Sequence, residues 1–459
     1  MATITLIGAG SVVFSKQLMA DILSFKELED CTFCLMDIDA ERLGMTEKVA
    51  RMFVAQHGNK AHVVTTMSIE EAVAQATYVI NLVQVGGFTA TKIDFDIPRQ
   101  FGLKQTIADT MGVGGVFRGL RTIPVLDQIC QAIEKLNPKA VLLNYTNPMA
   151  ILSQYVLTKY RGISYVGLCH SVQTTSKQLA LYMNLPYDEM KIKVAGINHQ
   201  AWFLELSHKG EDCYPKLFAL KQKIDDDPDF VPSHLYAYRG NDAWFRENFK
   251  DSAAQTFATD KVRFEMLKRL GYYVTESSEH NAEYCPYFIK DEQLIKKYSI
   301  PIDEYIRRCE INLKEFADMK ALIARGEELH VDTSQEYAGY IIHSIETGME
   351  RTINGNVLNT NLITNLPYEC CVEVPCLINR NGVQPTYIGD LPPQLAAYNR
   401  TNVNVQMLAV AAALEKKREH VYHAVMLDPL AGSILNLEQM ADMTDALFTA
   451  HGNALSYLQ

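Results

Sequence analysis

The N-terminal part of the chain alternates short apolar runs with longer stretches in which apolar residues recur every three or four positions. Short apolar runs predict buried strands, and the longer recurrence predicts helices that pack against them. The predicted strands are 2–7, 31–36, 61–65 and 77–82, and the predicted helices between them are 12–23, 39–57 and 68–75. This alternation predicts an α/β domain with a parallel sheet.

A glycine turn follows the first predicted strand, where Gly8 and Gly10 precede Ser11 and the first helix. Glycine allows a tight turn and lets backbone N–H groups approach a pyrophosphate at the helix N-terminus. Val13 replaces the third glycine of the G-x-G-x-x-G fingerprint, so the turn alone is a weak signal. Asp37, after the second strand, is placed to bind a ribose 2′-hydroxyl and favours NAD over NADP. Together these residues predict a Rossmann-type NAD-binding domain; the alternative is a glycine turn without a nucleotide.

Polar side chains follow the later predicted strands. Asn147 and the pair Cys169 and His170 each follow one strand, and the predicted strand 190–197 leads into His199. We expect these residues at the carboxyl ends of neighbouring strands, where open α/β sheets bind their ligands. Asn147 either contacts a substrate or caps the next helix. Cysteine with histidine is a common ligand set for transition metals, and the alternatives are an acid–base pair or ordinary core.

Two polar segments carry further candidate residues. The chain after the fourth strand, up to Gly115, is predicted to be a long loop, and long loops are usually functional. Its three glycines within four positions imply close backbone approach or mobility. Arg118 and Arg121 follow on one helix face and could hold an anion or a neighbouring carboxylate. The run 271–284 concentrates Tyr, Glu and His, and it is either part of a site or a solvated loop.

Composition narrows the class of protein. A chain of 459 residues is longer than a single hydrophobic core usually supports, so two domains are expected. The net charge of −11 argues against nucleic acid as a partner. No apolar run reaches the roughly 18 residues of a membrane span, and the N-terminus does not resemble a signal peptide, so we predict a cytoplasmic protein without membrane contact. The ten cysteines are scattered and are expected to be reduced.

Four motifs taken together are far more specific than any one of them: Gly8-Ala-Gly-Ser, Asn147-Pro, Cys169-His-Ser-Val and Gly196-Ile-Asn-His. The set resembles the NAD- and divalent-metal-dependent glycosidases of glycoside hydrolase family 4, over nearly the whole chain. Segments 169–172 and 275–280 resemble its bacterial α-galactosidase branch. The resemblance implies a lactate/malate dehydrogenase-like fold, with a Rossmann-type domain over 1–196 and a mixed α+β domain over 197–459. The second domain would provide substrate, metal and oligomer contacts, in a homodimer or homotetramer.

The resemblance also implies a route for hydrolysing an α-galactoside with retention of configuration. Bound NAD⁺ oxidises the sugar C3 hydroxyl to a ketone, which acidifies the proton on C2. A base removes that proton, the glycosidic oxygen leaves from C1, water adds to the enone, and NADH returns the hydride. Enzymes of this kind are exceptions to the two-carboxylate scheme of most glycosidases.

Several residues match functional positions of the family. Cys169 and His199 match its Mn²⁺ ligands, and Asn147 matches an asparagine that contacts the substrate. Asp109 matches an acidic residue that raises the basicity of the catalytic base. His170 stands where α-glucosidase members carry an aspartate that protonates the leaving group. An imidazole can do this near neutral pH, so we predict His170 as the general acid.

The base that removes the C2 proton is expected in the run 272–284, because many members of the family use a tyrosine from the corresponding region. Tyr272, Tyr273, Glu276 and Glu279 are possible, and we predict Tyr272 or Glu276. An ordinary tyrosine has a pKa of about 10, so a nearby cation would be needed to ionise it.

Other functions fit parts of the sequence. An α-galacturonidase of the same family would need a cation facing the sugar carboxylate, and Arg263, Lys268 and Arg269 are the candidates. The Cys-His-Ser-Val motif disfavours a 6-phosphoglycosidase. A lactate- or malate-type dehydrogenase explains the N-terminal domain but not Cys169 with His199. A catalytically silent NAD-binding sensor would need only the nucleotide site.

Overall fold

One mixed sheet organises the fold. The computed structural model describes residues 2–56, 60–238, 252–325, 333–334 and 336–459. The strands are β1 Thr3–Ile7, β2 Thr32–Met36, β3 His62–Thr66, β4 Tyr78–Asn81, β5 Val141–Asn144, β6 Ser164–Gly167, β7 Met190–Ile197, β8 Gln200–His208, β9 Glu211–Asp212, β10 Arg351–Leu358, β11 Cys371–Asn379 and β12 Gly382–Pro385. They are hydrogen-bonded in the order β3-β2-β1-β4-β5-β6-β10-β11-β7-β8-β9, and β12 pairs with β11.

Helices connect and cover these strands. Their bounds are Val12–Leu23, Ala40–Gln56, Ile69–Ala74, Gly87–Gln100, Gly112–Leu136, Met149–Lys159, Ser171–Tyr182, Tyr214–Asp226, Ser233–Ala237, Ala253–Thr259, Lys261–Leu270, Ser278–Glu283, Glu292–Lys297, Glu304–Ala324, Tyr337–Thr347, Pro393–Glu415, Glu419–Met426, Pro429–Ile434 and Leu437–His451. Within the described ranges, none of them is long and apolar enough to cross a bilayer.

The first six strands form the parallel half of the sheet. Their order, β3-β2-β1-β4-β5-β6, is that of doubly wound dinucleotide-binding folds. The elements up to β4 begin and end within one residue of their predicted bounds. Strands β1, β2 and β4 are almost entirely buried, as expected when helices cover both faces of a parallel sheet. The predicted Rossmann-type domain is therefore confirmed.

Strands from the C-terminal part extend the same sheet with antiparallel pairs. β10 joins β6 through Asn356 and Gly167, and β11 joins β7 through Glu373 and Gly196. Since Asn356 and Glu373 also face each other, these four residues form one row across the sheet. β6 and β7 run in opposite directions and both end at this row.

The row corrects one expectation and positions the site. Cys169 and His199 were expected at the ends of neighbouring strands, but β10 and β11 lie between β6 and β7. The two residues meet because β6 and β7 run toward each other and end at the same row. Cys169 lies two residues beyond the end of β6 at Gly167, and His199 lies two residues beyond the end of β7 at Ile197. The division into 1–196 and 197–459 stays a prediction, and strands from both sides of it belong to this one sheet.

The predicted long loop before Gly115 is wrong for most of its length. Helices Gly87–Gln100 and Gly112–Leu136 occupy most of it. The polar composition that indicated a loop includes Asp94, which is buried in an ion pair rather than solvated. The close backbone approach expected of the glycines is confirmed, because a Cβ atom on Gly114 would lie 2.6 Å from the Ala108 carbonyl oxygen.

Candidate active site

The glycine turn after β1 brings together the predicted nucleotide-binding residues. Gly8 has a φ of +86°, and a Cβ atom there would lie 2.8 Å from the backbone of Leu82. The backbone N–H of Gly10 donates a 2.7 Å hydrogen bond to Asp37 Oδ2. Ser11 precedes the helix Val12–Leu23 directly. The turn therefore presents backbone and carboxylate in the arrangement that holds a pyrophosphate and ribose in dinucleotide folds.

Three side chains that could bind a metal ion lie together beyond the row of strand ends. Cys169 Sγ is 3.3 Å from His199 Nε2, and Glu276 Oε2 is 3.5 Å from the same nitrogen. One ligand atom from each of these three residues lies within 4.8 Å of the others. Thiolate, imidazole and carboxylate are all ligands for divalent transition metals, so these residues fit such an ion.

The protonation states of this cluster suit a cation. Burial lowers the pKa of His199 to about 4, so its imidazole is neutral at pH 7, as a metal ligand must be. Burial alone would raise the pKa of Glu276, but nearby His280 and His199 outweigh it and lower that pKa to about 2. Burial, with the charges of Glu373 and Glu276, raises the pKa of the Cys169 thiol. A cation would favour the thiolate here, because coordination deprotonates a thiol.

Backbone geometry and a tyrosine hold two of these three side chains in place. His199 and Glu276 both have a φ of +63°, an uncommon left-handed conformation for residues with a Cβ atom. The hydroxyl of Tyr284 is 3.0 Å from His199 Nδ1. A hydroxyl that accepts the Nδ1–H leaves Nε2 as the nitrogen facing Cys169 and Glu276, the usual way in which a second residue fixes a histidine ligand.

Buried Asp109 and partly buried Asn147 form a hydrogen-bonded pair. Asn147 Nδ2 donates a 3.1 Å hydrogen bond to Asp109 Oδ2, and Arg118 Nε donates to the Asn147 carbonyl at 3.1 Å. Burial would raise the pKa of Asp109, but the charges of Arg118, His280 and His199 lower it. Asp109 is thus a buried carboxylate held ionised beside the cluster.

The two arginines of the helix Gly112–Leu136 have protein partners. Arg121 pairs with Asp94 at 2.6 Å, and both side chains are 2% exposed. Arg118 Nη1 donates to the hydroxyl of Tyr305 at 2.9 Å. Arg121 therefore binds a neighbouring carboxylate, which was one of its two predicted roles.

The remaining predicted catalytic residues differ in their surroundings. His170 is half exposed, and its Nδ1 lies 2.9 Å from Glu336 Oε1. The ring of Tyr272 packs edge-on against Tyr214, with centroids 5.7 Å apart. The segment 271–284 is largely buried, so its interpretation as a solvated loop is wrong.

Comparison with known families identifies the fold and the kind of protein. A family model described as family 4 glycosyl hydrolase matches residues 3–185, and the model of its C-terminal domain matches residues 194–431. The chain belongs to family 4 of the glycosyl hydrolases.

Full-length relatives of this family 4 hydrolase include enzymes of two substrate classes. An α-galactosidase of Bacillus subtilis (strain 168) is 42% identical over 99% of both chains. An α-galactosidase of Rhizobium meliloti (strain 1021) is 31% identical over 98% of this chain and 89% of its own. An α-galacturonidase of Thermoanaerobacter italicus is 27% identical over 93% of this chain and 91% of its own.

Solved structures of similar proteins agree with the fold. A putative glucosidase from Bacillus subtilis has a TM-score of 0.85 at 23% identity, covering 97% of this chain and 99% of its own. A 6-phospho-α-glucosidase from gut microorganisms, solved in complex with NAD and Mn²⁺, has a TM-score of 0.77 at 19% identity, covering 99% and 98%.

Sequence reasoning missed three residues around the site of this family 4 hydrolase. Tyr284 supports His199, and His280 lies edge-on to the His199 ring with centroids 5.0 Å apart. Both belong to the polar run 271–284. The apolar sequence on either side of this run was the available signal that its polar residues are buried. Glu336, the partner of His170, lies 166 residues away from it, and no local pattern marks it.

Proposed function

We propose that this protein is an α-galactosidase that hydrolyses terminal α-galactosides with NAD⁺ and Mn²⁺. The observation that best supports this proposal is the cluster of Cys169, His199 and Glu276, with His170 next to Cys169 in the chain. The chain that carries it is 42% identical over 99% of its length to an α-galactosidase. When bound, NAD⁺ oxidises the sugar C3 hydroxyl and its reduced form restores it, while Mn²⁺ polarises the resulting carbonyl.

The residues of the chain take distinct roles in this proposal. Cys169 and His199 would hold the metal, and Asn147 would orient the sugar. Asp109, buried and ionised beside them, would raise the basicity of the group that removes the C2 proton. His170 would donate a proton to the glycosidic oxygen and take one back from the attacking water.

Of the two predicted bases, we favour Glu276. Its carboxylate lies 3.5 Å from His199, whereas the ring contact of Tyr272 is with Tyr214. Glu276 also offers the metal a third ligand, so removing its carboxylate would affect both metal binding and removal of the C2 proton. A C2-deuterium isotope effect that persists with normal turnover in both Glu276→Gln and Tyr272→Phe would exclude this pair.

The charges near the site favour a neutral sugar over a galacturonide. All three cations considered for a C6 carboxylate have carboxylate partners: Arg263 pairs with Asp260, Lys268 with Asp225, and Arg269 with Glu265. The Arg263–Asp260 pair is 2% exposed on both sides. A neutral galactoside needs no such cation.

The deciding experiment is cleavage of p-nitrophenyl α-galactoside with and without each cofactor. We expect release of p-nitrophenol only when NAD⁺ and Mn²⁺ are both supplied, without net formation of NADH. Stoichiometric NADH would instead indicate a dehydrogenase, and preferential cleavage of the α-galacturonide would indicate the related activity. No cleavage of either glycoside would contradict the proposal. A cytoplasmic location and a homodimer or homotetramer remain predictions.

A further inference from the structure

His170 has a carboxylate partner from a distant part of the chain. Its Nδ1 atom lies 2.9 Å from Oε1 of Glu336. The imidazole is 55% exposed, whereas the Glu336 side chain is 8% exposed. A buried carboxylate thus contacts Nδ1 of an imidazole that is itself half exposed.

Hydrogen bonds on both sides of Glu336 fix its position. It precedes the helix Tyr337–Thr347, and its backbone N–H donates to the Ser334 hydroxyl at 3.2 Å. That hydroxyl donates in turn to Asp21. The backbone N–H of Ala338, the second residue of that helix, donates to the Tyr145 hydroxyl at 3.0 Å. These contacts fix the backbone on both sides of Glu336, and its side chain is 8% exposed.

We propose that Glu336 is a positioning residue for His170, holding the imidazole with its N–H at Nδ1 so that proton transfer runs through Nε2. A carboxylate only accepts hydrogen bonds, so it selects the tautomer that carries hydrogen on the nitrogen facing it. It also fixes the plane of the ring. This inference rests on the proposed glycosidase function.

The proton balance of the step follows from this tautomer. As the C1–O bond breaks, its electron pair goes to the glycosidic oxygen, which takes the proton from Nε2 of the doubly protonated His170. The Nδ1–H stays on the ring, bonded to Glu336. Neutral His170 then accepts at Nε2 the proton of the water molecule whose hydroxyl adds to C1, and the starting state returns.

The test compares two substrates that differ in their need for an acid. Glu336→Gln keeps the shape of the side chain and removes its charge. With NAD⁺ and Mn²⁺ present, we expect its kcat/KM on melibiose to fall about 100-fold, within the range of general acid catalysis. The fall on 2,4-dinitrophenyl α-galactoside should be under about threefold, because that leaving group departs without protonation.

A matched control is available elsewhere in the chain. His208 Nε2 lies 2.7 Å from Glu189 Oε2 in a second carboxylate–imidazole pair, on the β7–β8 hairpin. Glu189→Gln removes the same kind of contact away from the site and should leave kcat/KM unchanged for both substrates. NAD⁺ affinity and thermal unfolding of each variant check the fold, and Glu336→Asp replaces Glu336→Gln if the latter does not fold.

A double-mutant cycle distinguishes positioning from a general structural role. If Glu336 acts through His170, adding Glu336→Gln to His170→Asn should cost almost nothing further on melibiose, because the two residues act as a unit. Equal losses on both substrates, or additive losses in the cycle, would overturn the inference while leaving the glycosidase function intact. A wild-type protein that cleaves neither substrate would refute the proposed function itself.

Discussion

Tyr284 offers a direct test of the metal site that does not depend on turnover. Its hydroxyl lies 3.0 Å from Nδ1 of His199, and the two residues are 1% and 3% exposed. The change Tyr284→Phe keeps the ring and removes only this partner. The imidazole then loses a buried hydrogen-bond acceptor that also orients it.

We expect Tyr284→Phe to weaken Mn²⁺ binding about 10- to 100-fold, the usual effect of removing the hydrogen-bond partner of a metal-binding histidine. The free energy of unfolding without metal should fall by about 1–3 kcal/mol, the usual cost of an unsatisfied buried donor. Electron paramagnetic resonance of free Mn²⁺ measures the binding, and urea denaturation measures the stability.

A control separates the two effects of this substitution. Tyr165 is 6% exposed and its hydroxyl lies 2.9 Å from the Ser153 hydroxyl, also a buried contact. Tyr165→Phe should lower stability without changing Mn²⁺ affinity. If Tyr284→Phe binds Mn²⁺ as tightly as the wild type, then His199 is not oriented by this tyrosine as we infer.

Three further predictions test other parts of the structure. Glu276→Gln should weaken Mn²⁺ binding measured by the same resonance method, because its carboxylate lies in the cluster, whereas Tyr272→Phe should not; the reverse pattern would remove Glu276 from the metal site. Asp94→Asn should lower the free energy of unfolding by about 3–5 kcal/mol in urea, because it leaves buried Arg121 unpaired, and a loss under about 1 kcal/mol would contradict this. Burial raises the pKa of Asp428 from 3.8 to about 6, so the folded state retains a proton that the unfolded state releases. Its contribution, up to about 3 kcal/mol, is present below pH 3.8 and lost as the pH rises through 6. Asp428→Asn should therefore lose less stability than the wild type between pH 4.5 and 7 in chemical denaturation, and identical pH profiles would refute it.

Local patterns account for what the sequence predicted well. The strands and helices up to β4 follow from apolar spacing alone, because β1, β2 and β4 are buried apolar runs and the helices between the strands have recurring apolar positions. The glycine turn after β1 was also accessible, since the contact between Gly10 and Asp37 joins the ends of two adjacent strands; its nucleotide-binding role stays a prediction. Such contacts repeat from protein to protein and leave local signatures.

Contacts between distant segments account for what was missed. The helix Gly87–Gln100 appeared to be a loop because Asp94 is polar, and its partners Arg121 and His451 lie elsewhere in the chain. The pairing of Glu336 with His170 spans 166 residues. Nor does any periodicity show that β10 and β11 separate β6 from β7, since strand pairing at long range depends on the whole sheet.

The insertion of β10 and β11 between β6 and β7 has a consequence for how the protein acquires its metal during synthesis. Cys169 and His199, the proposed metal ligands, are only thirty residues apart in the chain, yet the two strands that lie between β6 and β7 come from Arg351–Leu358 and Cys371–Asn379. Pairings over such separations close late in folding, because the entropy of closing long loops is lost before the contact forms. A nascent chain that has emerged only as far as His199 therefore holds both ligands without their final spacing. If Cys169 and His199 bind the ion as we propose, their final spacing forms only after the C-terminal strands have inserted, and metal binding would stabilise the completed sheet.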